Sequence, residues 1–210
     1  MTTDMHNLNL SMDPFENFQH WLAEAKASMG EEMATAMTLA TASKSGRPSA
    51  RIVLFKGTCR DPKGLEGFKL FGNYESQKSR ELLENTQAAL VFFWPLLGRQ
   101  IRVEGPVERL SDQEADAYFA SRPRGSRLGA WASPQSQKIN TRDELVARVV
   151  EVEKRFGSDG EVPRPDNWGG WLLVPERFEF WQAGEYRLHD RFLFERAPTG
   201  EGWQRSRLAP

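Results

Sequence analysis

The chain has 210 residues, with 28 Lys and Arg against 29 Asp and Glu and a formal net charge of −1. This balance argues against a nucleic-acid-binding protein, which usually carries a basic excess. The single cysteine, Cys59, excludes an internal disulfide and a cysteine-based zinc site, and only His189 lies in the body of the chain, which argues against a histidine-rich metal centre. No run of about 18 apolar residues occurs, so we expect no membrane span and a reduced, cytoplasmic location.

The chain is expected to begin with a flexible lead-in over residues 1–12, followed by a single domain over residues 13–210. Asp13 and Pro14 are typical of the start of a helix, which Gly30 can end. The body of the chain shows no internal repeat and no low-complexity tract.

Short strands and a few helices are predicted along the rest of the chain. Strands are expected at 35–43, 49–56, 67–72, 87–94, 99–109, 171–174, 177–182, 187–196 and 202–207, with a loop at 57–66. Helices are expected at about 76–85, at 112–121 and from 141 to about 156, the last two opened by capping boxes. The βαβ alternation, the dinucleotide fingerprint and the P-loop are absent. The pattern therefore indicates an antiparallel barrel with helices packed outside it.

The sequence RLHDR at 187–191 is the first candidate site. On a strand it would place Arg187, His189 and Arg191 on one face, as a site for an anion. A solvated edge strand with scattered charges is an equally good interpretation.

The sequence RIVLFK at 51–56 is the second candidate. Arg51 and Lys56 would face opposite sides of a regular strand and so touch two ligands or two ends of one site. Two flanking charges that reach solvent are the simpler interpretation of this pattern alone.

The segment YFASRPRGSRLGAWASPQSQ, which begins at Tyr118, is the third candidate. Tyr118 and Arg122 would share a helix face, and Arg122, Arg124, Ser126 and Arg127 cluster at a Pro/Gly break. A loop with such donors and free amides favours phosphate binding over a plain surface loop.

Three weaker features accompany these motifs. The helix start at Ser76 could attract phosphate, although a plain N-cap with a solvated Lys78 is the simpler interpretation. Trp181 could stack on a planar ring, although a buried indole is the commoner case. We interpret Cys59 as incidental. From the residues alone, the chain is a soluble binder of a phosphorylated planar ligand, and two basic clusters hint at two ligands.

Taken together and in order, these motifs resemble the pyridoxine/pyridoxamine 5′-phosphate oxidase family, from about residue 14 to the terminal RLAP. The resemblance implies an α+β fold, an antiparallel Greek-key split β-barrel with packed outer helices. It further implies a homodimer with FMN at the subunit interface, no metal, and no nucleic-acid or membrane partner.

The resemblance also implies two sets of ligand-binding residues. The expected FMN set is Arg51, Ile52, Val53, Leu54, Phe55, Lys56, Phe71, Gly72, Gln77, Lys78, Gln100, Gln135, Ser136, Trp181 and Arg191. The expected substrate set is Lys56, Tyr118, Arg122, Ser126, Arg187 and His189, of which Arg187 and His189 are the expected catalytic residues.

The implied reaction oxidises pyridoxine or pyridoxamine 5′-phosphate to pyridoxal 5′-phosphate, with oxygen as acceptor, hydrogen peroxide as product, and ammonia released from the amine. Two alternatives stay open. One is a split-barrel flavin reductase with another substrate, and the other is a non-catalytic carrier of FMN or pyridoxal phosphate.

The chain departs from the family pattern at several places. Gln77 replaces a usual arginine, so we expect weaker FMN binding, and Gly72 stands where a threonine is common. The loop at 57–67 is longer than in compact members. A basic, tyrosine-containing segment that often covers the substrate is missing upstream, so we expect poorer closure over the substrate.

Overall fold

The structure, a computed structural model, describes residues 13–199 and 202–210; the expected lead-in at 1–12 lies outside this range. The strands are β1 (Ala36–Ala42), β2 (Pro48–Leu54), β3 (Thr58–Arg60), β4 (Glu66–Asn73), β5 (Gln87–Trp94), β6 (Arg99–Arg109), β7 (Trp168–Leu173), β8 (Arg177–Gln182), β9 (Asp190–Arg196) and β10 (Trp203–Arg207). The helices are α1 (Pro14–Met29), α2 (Glu31–Thr35), α3 (Gln77–Glu84), α4 (Asp112–Ser121), α5 (Arg124–Ala132) and α6 (Arg142–Phe156).

All strand pairs are antiparallel, and the long strand β6 joins two parts of the sheet. Its first part lies between β5 and β8 in the order β10-β9-β8-β6-β5-β1-β2, and its last residues pair with β7, which pairs with β4 and then β3. The strand changes partner near Gly105, where an added Cβ would lie only 2.1 Å from the carbonyl oxygen of Val174. A side chain there would block that approach. The sheet is not closed, and the α+β split barrel expected from the sequence is confirmed.

An aromatic core fills the barrel, and α1 covers it. Phe18 of α1 contacts Phe55, Phe68 and Phe92 with ring centroids 4.8–5.2 Å apart. The predicted start of this helix is confirmed, because the side chain of Asp13 accepts a hydrogen bond from the backbone N–H of Phe15 at 2.8 Å. Burial of these rings stabilises the barrel through the hydrophobic effect and ring–ring contacts.

Two of the predicted connections are wrong. Residues 57–66 are not a plain loop, because β3 pairs with β4 across a turn in which Asp61 Oδ1 accepts the N–H groups of Lys63 and Leu65. The segment after Arg122 is not a loop with free amides but the helix α5, which buries Leu128 and Ala132 one turn apart. The short helix α2 was not predicted.

The predicted strand at 187–196 begins too early. The strand β9 starts at Asp190, and Glu185–Arg187 form a 3-10 turn in which Tyr186 and Arg187 have φ of 54° and 65°. Arg187, His189 and Arg191 therefore do not share one strand face, because only Arg191 lies in a strand. The left-handed backbone at Arg187 breaks the alternation on which that expectation rested.

None of the helices in the described part of the chain is long and apolar enough to cross a membrane. The cytoplasmic location and the single domain over 13–210 stay predictions.

Candidate functional site

A cleft of about 500 Å³ lies beside β2, the end of β4 and the start of α3, and it reaches α4 and the segment after α5. Most of the residues expected from the sequence meet there. The expected residues that line it are Arg51, Ile52, Val53, Leu54, Lys56, Phe71, Gly72, Gln77, Lys78, Tyr118, Arg122, Gln135 and Ser136. Because β2 ends at Leu54, Lys56 lies beyond the strand, and the two cations of RIVLFK lie on one cleft.

The ammonium of Lys78 is the most buried cation of the cleft. Lys78 is only 7% exposed, so the expected solvated lysine is wrong. Its Nζ donates to Ser76 Oγ at 2.9 Å and to Gln135 Oε1 at 3.2 Å, and no carboxylate of the described residues forms an ion pair with it. Burial, and then the nearby charge of Arg51, lower the pKa of Lys78 to about 8. A buried cation held only by neutral acceptors is a strong site for an anion.

Close packing surrounds this ammonium. An added Cβ at Gly72 would lie 3.0 Å from Lys78 Nζ, so the absence of a side chain keeps the space beside the ammonium free. Gln135 also accepts the backbone N–H of Asn73 at 3.3 Å, which ties the segment after α5 to the end of β4.

Arg51 is oriented by a carboxylate that sequence reasoning missed. Glu81 Oε2 lies 3.4 Å from Arg51 Nη2 and accepts the hydroxyls of Thr41 at 2.5 Å and Ser49 at 2.6 Å. Gln77 donates to its other oxygen at 2.9 Å. Burial raises the pKa of Glu81, but these hydrogen bonds and Arg51 outweigh it and lower the pKa to about 2. Glu81 is therefore anionic at neutral pH and offsets part of the charge of Arg51.

The other end of the cleft combines aromatic rings with two cations. The rings of Phe71 and Tyr118 stack at 4.0 Å, and Lys56 Nζ lies 5.9 Å from the centre of the Tyr118 ring. The guanidinium of Arg122 lies 4.8 Å over Trp168, and its Nη1 is buried without a hydrogen-bond partner. An unsatisfied buried guanidinium N–H points to a missing acceptor, for which a phosphate oxygen is well suited.

Other expected residues form a second cluster, away from the residues that line this cleft. Gln100, Trp181 and Arg191 face each other in register on the neighbouring strands β6, β8 and β9. Arg191 Nε donates to Glu179 at 2.8 Å and its Nη1 to the carbonyl of Ala209 at 2.9 Å, so the terminal RLAP segment helps to orient it. The hydrogen bond to Glu179 raises the pKa of Arg191, which stays charged.

His189 belongs to this second cluster. Its ring lies 4.6 Å from that of Trp181, and its Nδ1 accepts the backbone N–H of Gly184 at 3.2 Å. This hydrogen bond assigns the proton of the neutral ring to Nε2. Arg187 is exposed at the turn just before it.

Several residues differ from their expected surroundings. The ring of Phe55 lies in the core, Ser126 is exposed on α5, and Arg124 donates to the carbonyls of Gly157 and Gly160 rather than to a ligand site. Trp168, which lines the cleft, was missed. The sequence gives no local signal for it, because Trp168 follows a Gly/Pro-rich segment and lies 46 residues after Arg122, the residue that it contacts.

Cys59 shows no sign of a reactive thiol. Burial, followed by a hydrogen bond with Glu114, raises the pKa of this thiol to about 11. Among residues 13–199 and 202–210, no group of three or more His, Cys, Asp or Glu side chains could hold a metal ion.

Comparison with known proteins extends over nearly the whole chain. The family model described as pyridoxamine 5′-phosphate oxidase matches residues 24–156, and the one described as the pyridoxine 5′-phosphate oxidase C-terminal dimerisation region matches residues 168–210. Curated relatives called pyridoxine/pyridoxamine 5′-phosphate oxidase include one from Burkholderia mallei, 52% identical over 96% of this chain and 91% of the relative. A Burkholderia thailandensis relative of the same name is 50% identical with the same coverage.

Solved structures that share the fold include the following two. PhzG from Burkholderia lata, in complex with tetrahydrophenazine-1-carboxylic acid, is 31% identical, with a TM-score of 0.84 over 94% of this chain and 93% of that one. A pyridoxamine 5′-phosphate oxidase-related, FMN-binding protein from Nostoc punctiforme is 18% identical, with a TM-score of 0.74 over 96% and 100%. Since one family model matches more than half of the chain and relatives are half identical to it, the chain belongs to the pyridoxamine 5′-phosphate oxidase family.

Proposed function

We propose that this protein oxidises pyridoxine 5′-phosphate and pyridoxamine 5′-phosphate to pyridoxal 5′-phosphate, with FMN as cofactor and oxygen as acceptor. Hydrogen peroxide is the second product, and the amine substrate also releases ammonia. The observation that carries the proposal is a single cleft with two separate cations suited to phosphate, the ammonium of Lys78, which has no carboxylate partner among the described residues, and the guanidinium of Arg122, whose buried Nη1 lacks a hydrogen-bond partner there.

The residues around Lys78 fit the phosphate of FMN. Lys78 and Arg51 supply positive charge, Gln135 and Ser136 border the same space, and Gly72 leaves it free of a side chain. The backbone of β2 from Ile52 to Leu54 offers an edge along which a planar ring can lie, because β2 is the last strand of its sheet. The bound flavin supplies the redox chemistry.

The opposite end of the cleft fits the substrate phosphate. Lys56, Tyr118 and Arg122 together offer an ammonium, a hydroxyl and a guanidinium. Ser126 enters this set only through the family resemblance, since it is exposed on α5 and does not line the cleft.

The second cluster completes the site from a second copy of the chain. Trp181, Arg187, His189 and Arg191 all lie in the segment that matches the dimerisation model. The apolar side chains of Ile52 and Phe93 are 66% and 56% exposed, which suits an interface between copies. In such a homodimer each cleft would be lined by residues of both subunits.

Arg187 and His189 then act on the pyridine ring. His189 keeps its Nε2 proton because Nδ1 accepts from Gly184, so Nε2 can donate a hydrogen bond to a polar ring substituent. Arg187 adds a fixed positive charge beside it. These groups orient the substrate and handle its proton.

A phenazine-type substrate is the second candidate, favoured by the likeness to PhzG, whose structure holds tetrahydrophenazine-1-carboxylic acid. That ligand carries a carboxylate and no phosphate. The array of Lys56, Tyr118 and Arg122 has more donors than one carboxylate uses, which favours the phosphate ester.

An anaerobic titration tests the proposed function. The purified protein loaded with FMN is yellow, and pyridoxamine 5′-phosphate is expected to bleach it without oxygen, with peroxide formed when air is admitted. Bleaching by a dihydrophenazine acid or by a nicotinamide donor, but not by either B6 phosphate, would contradict the proposal. Absence of peroxide at saturating FMN would favour the carrier hypothesis.

Flavin binding is expected to weaken above pH 8. The pKa of Lys78 in the flavin-free protein is about 8, so at higher pH its amine is neutral and must take up a proton to bind a phosphate dianion. The dissociation constant of FMN is therefore expected to stay constant between pH 7 and 8 and then to rise by up to about tenfold per pH unit. Quenching of FMN fluorescence from pH 7 to 9.5 measures it.

The matched variant for this titration is Lys78→Met. Its FMN affinity, weaker throughout, is expected to be flat over the same range. A slope that survives in Lys78→Met would assign the titration to another group.

A further inference from the structure

Arg122 is held in the cleft by aromatic faces rather than by a carboxylate. Its guanidinium lies 4.8 Å over the ring of Trp168 and 5.3 Å over that of Phe119. No acidic side chain of the described residues forms an ion pair with it. A ring face orients a guanidinium without consuming its N–H groups, whereas a carboxylate would occupy two of them.

Trp168 is at the centre of this arrangement. Its indole lies nearly parallel to Phe71 and Tyr118, with interplanar angles of 9° and 11° and centroids 5.8 and 6.1 Å away. It meets Phe119 at a steep angle, with centroids 4.9 Å apart. Trp168 is 6% exposed and lines the cleft. One indole thus contacts the phosphate-binding arginine and the two rings that line the substrate end.

Arg164 connects the backbone of Trp168 to α4 through hydrogen bonds. Its Nη1 donates to the carbonyl of Trp168 at 2.7 Å, its Nε to Asp116 at 2.6 Å, and its Nη2 to Asp112 at 2.8 Å. Asp112 and Asp116 lie one turn apart on α4, the helix that also carries Tyr118. The guanidinium therefore links the helix of the substrate end to the start of β7, where the indole is attached.

We propose that Trp168 is a positioning residue for Arg122, braced by Arg164, and that it thereby sets the preference for phosphorylated over unphosphorylated substrates. The proposal rests on the proposed function for its substrate. Loss of the indole would leave Arg122 present but free to move. The affinity for the substrate phosphate would therefore fall, while the rate of the chemical step would change little.

The test compares Trp168→Leu with Trp168→Phe in the FMN-loaded protein. For Trp168→Leu we expect KM for pyridoxamine 5′-phosphate and Kd for pyridoxal 5′-phosphate to rise about tenfold, with kcat within twofold. Binding of unphosphorylated pyridoxal is expected to be unchanged. Trp168→Phe keeps a ring face and is expected to recover most of the loss.

Trp131→Leu is the matched control. Trp131 lies on α5, the guanidinium of Arg155 lies 4.7 Å from the centre of its ring, and it does not line the cleft. It is expected to leave KM unchanged. In an Arg122→Met background, which has no cation at this position, Trp168→Leu is expected to cost less than in the wild type, since the pair is then already lost.

Several outcomes would overturn the proposal. Equal losses for pyridoxal 5′-phosphate and pyridoxal, a fall in kcat alone, or loss of FMN would assign a purely structural role to the indole. If Trp168→Leu does not fold, Arg164→Met decides, since an unchanged KM in that variant contradicts the brace. If the wild type binds pyridoxal 5′-phosphate but oxidises neither B6 phosphate, the proposed function is contradicted. The Kd for pyridoxal 5′-phosphate still tests the role of Trp168 in that case.

Discussion

Replacement of His189 or Arg187 with alanine is expected to lower turnover of pyridoxamine 5′-phosphate about a hundredfold while the protein keeps its yellow flavin. Neither side chain is among the residues that line the cleft of its own chain, where Lys78 and Arg51 lie. Their proposed contribution is confined to the substrate ring, which they orient and whose proton they handle. Steady-state kinetics and the flavin absorbance of the same samples measure the two effects separately.

The matched controls are Arg47→Ala, in the exposed turn between β1 and β2, and His20→Ala, on the outer part of α1. Both are expected to keep wild-type turnover. Simultaneous loss of the flavin in Arg187→Ala or His189→Ala would show that the proposed roles are wrong.

Replacement of Lys78 with methionine is expected to weaken FMN binding by about 2 kcal/mol, or roughly thirtyfold, through loss of a charged hydrogen bond to the phosphate. The stability of the flavin-free protein should change in the opposite direction. Burial lowers the pKa of Lys78 from 10.5 to about 8, so a buried ammonium costs the native state on the order of 3 kcal/mol below pH 8. Because the unfolded chain holds this proton more tightly, the cost declines between pH 8 and 10.5.

Two measurements at pH 7 check this prediction. FMN fluorescence quenching gives the affinity, and thermal unfolding of the flavin-free protein gives the stability, which in Lys78→Met should be at least that of the wild type. Lys63→Met, at an exposed turn residue, is the control for both. A variant that loses affinity and stability together would instead indicate a structural lysine.

A hybrid dimer that combines a His189 variant with a Lys78 variant tests whether each site is formed by both subunits. In a hybrid dimer of His189→Ala and Lys78→Met chains, one cleft would carry both defects and the other neither. At an FMN concentration too low to load Lys78→Met, activity is therefore expected to rise well above that of either variant alone when the two proteins are unfolded and refolded together. No such rise, with hybrid dimers demonstrated, would place both residues in a site of one subunit.

The elements that were predictable are those set by local chemistry. Asp13 caps α1, Ser111 caps α4 and Thr141 caps α6 as their sequences indicate, because a cap needs only a side-chain oxygen two or three residues from a free N–H. The alternation of β6 likewise shows which side chains face the core. In contrast, α5 was mistaken for a loop because Pro123, which precedes it, and its own Arg and Gly residues are also typical of phosphate-binding turns.

The candidate site divides in the same way. The sequence by itself determined the family, the open antiparallel fold and most of the cations of the cleft, since these depend on residue types in a fixed order. Only the tertiary structure decided that Lys78 is buried with no carboxylate partner among the described residues, that Glu81 pairs with Arg51, and that Arg122 lies over Trp168. Each of these depends on contacts between segments far apart in the chain, and burial, which moves the pKa of Lys78 to about 8, exists only once those segments have packed.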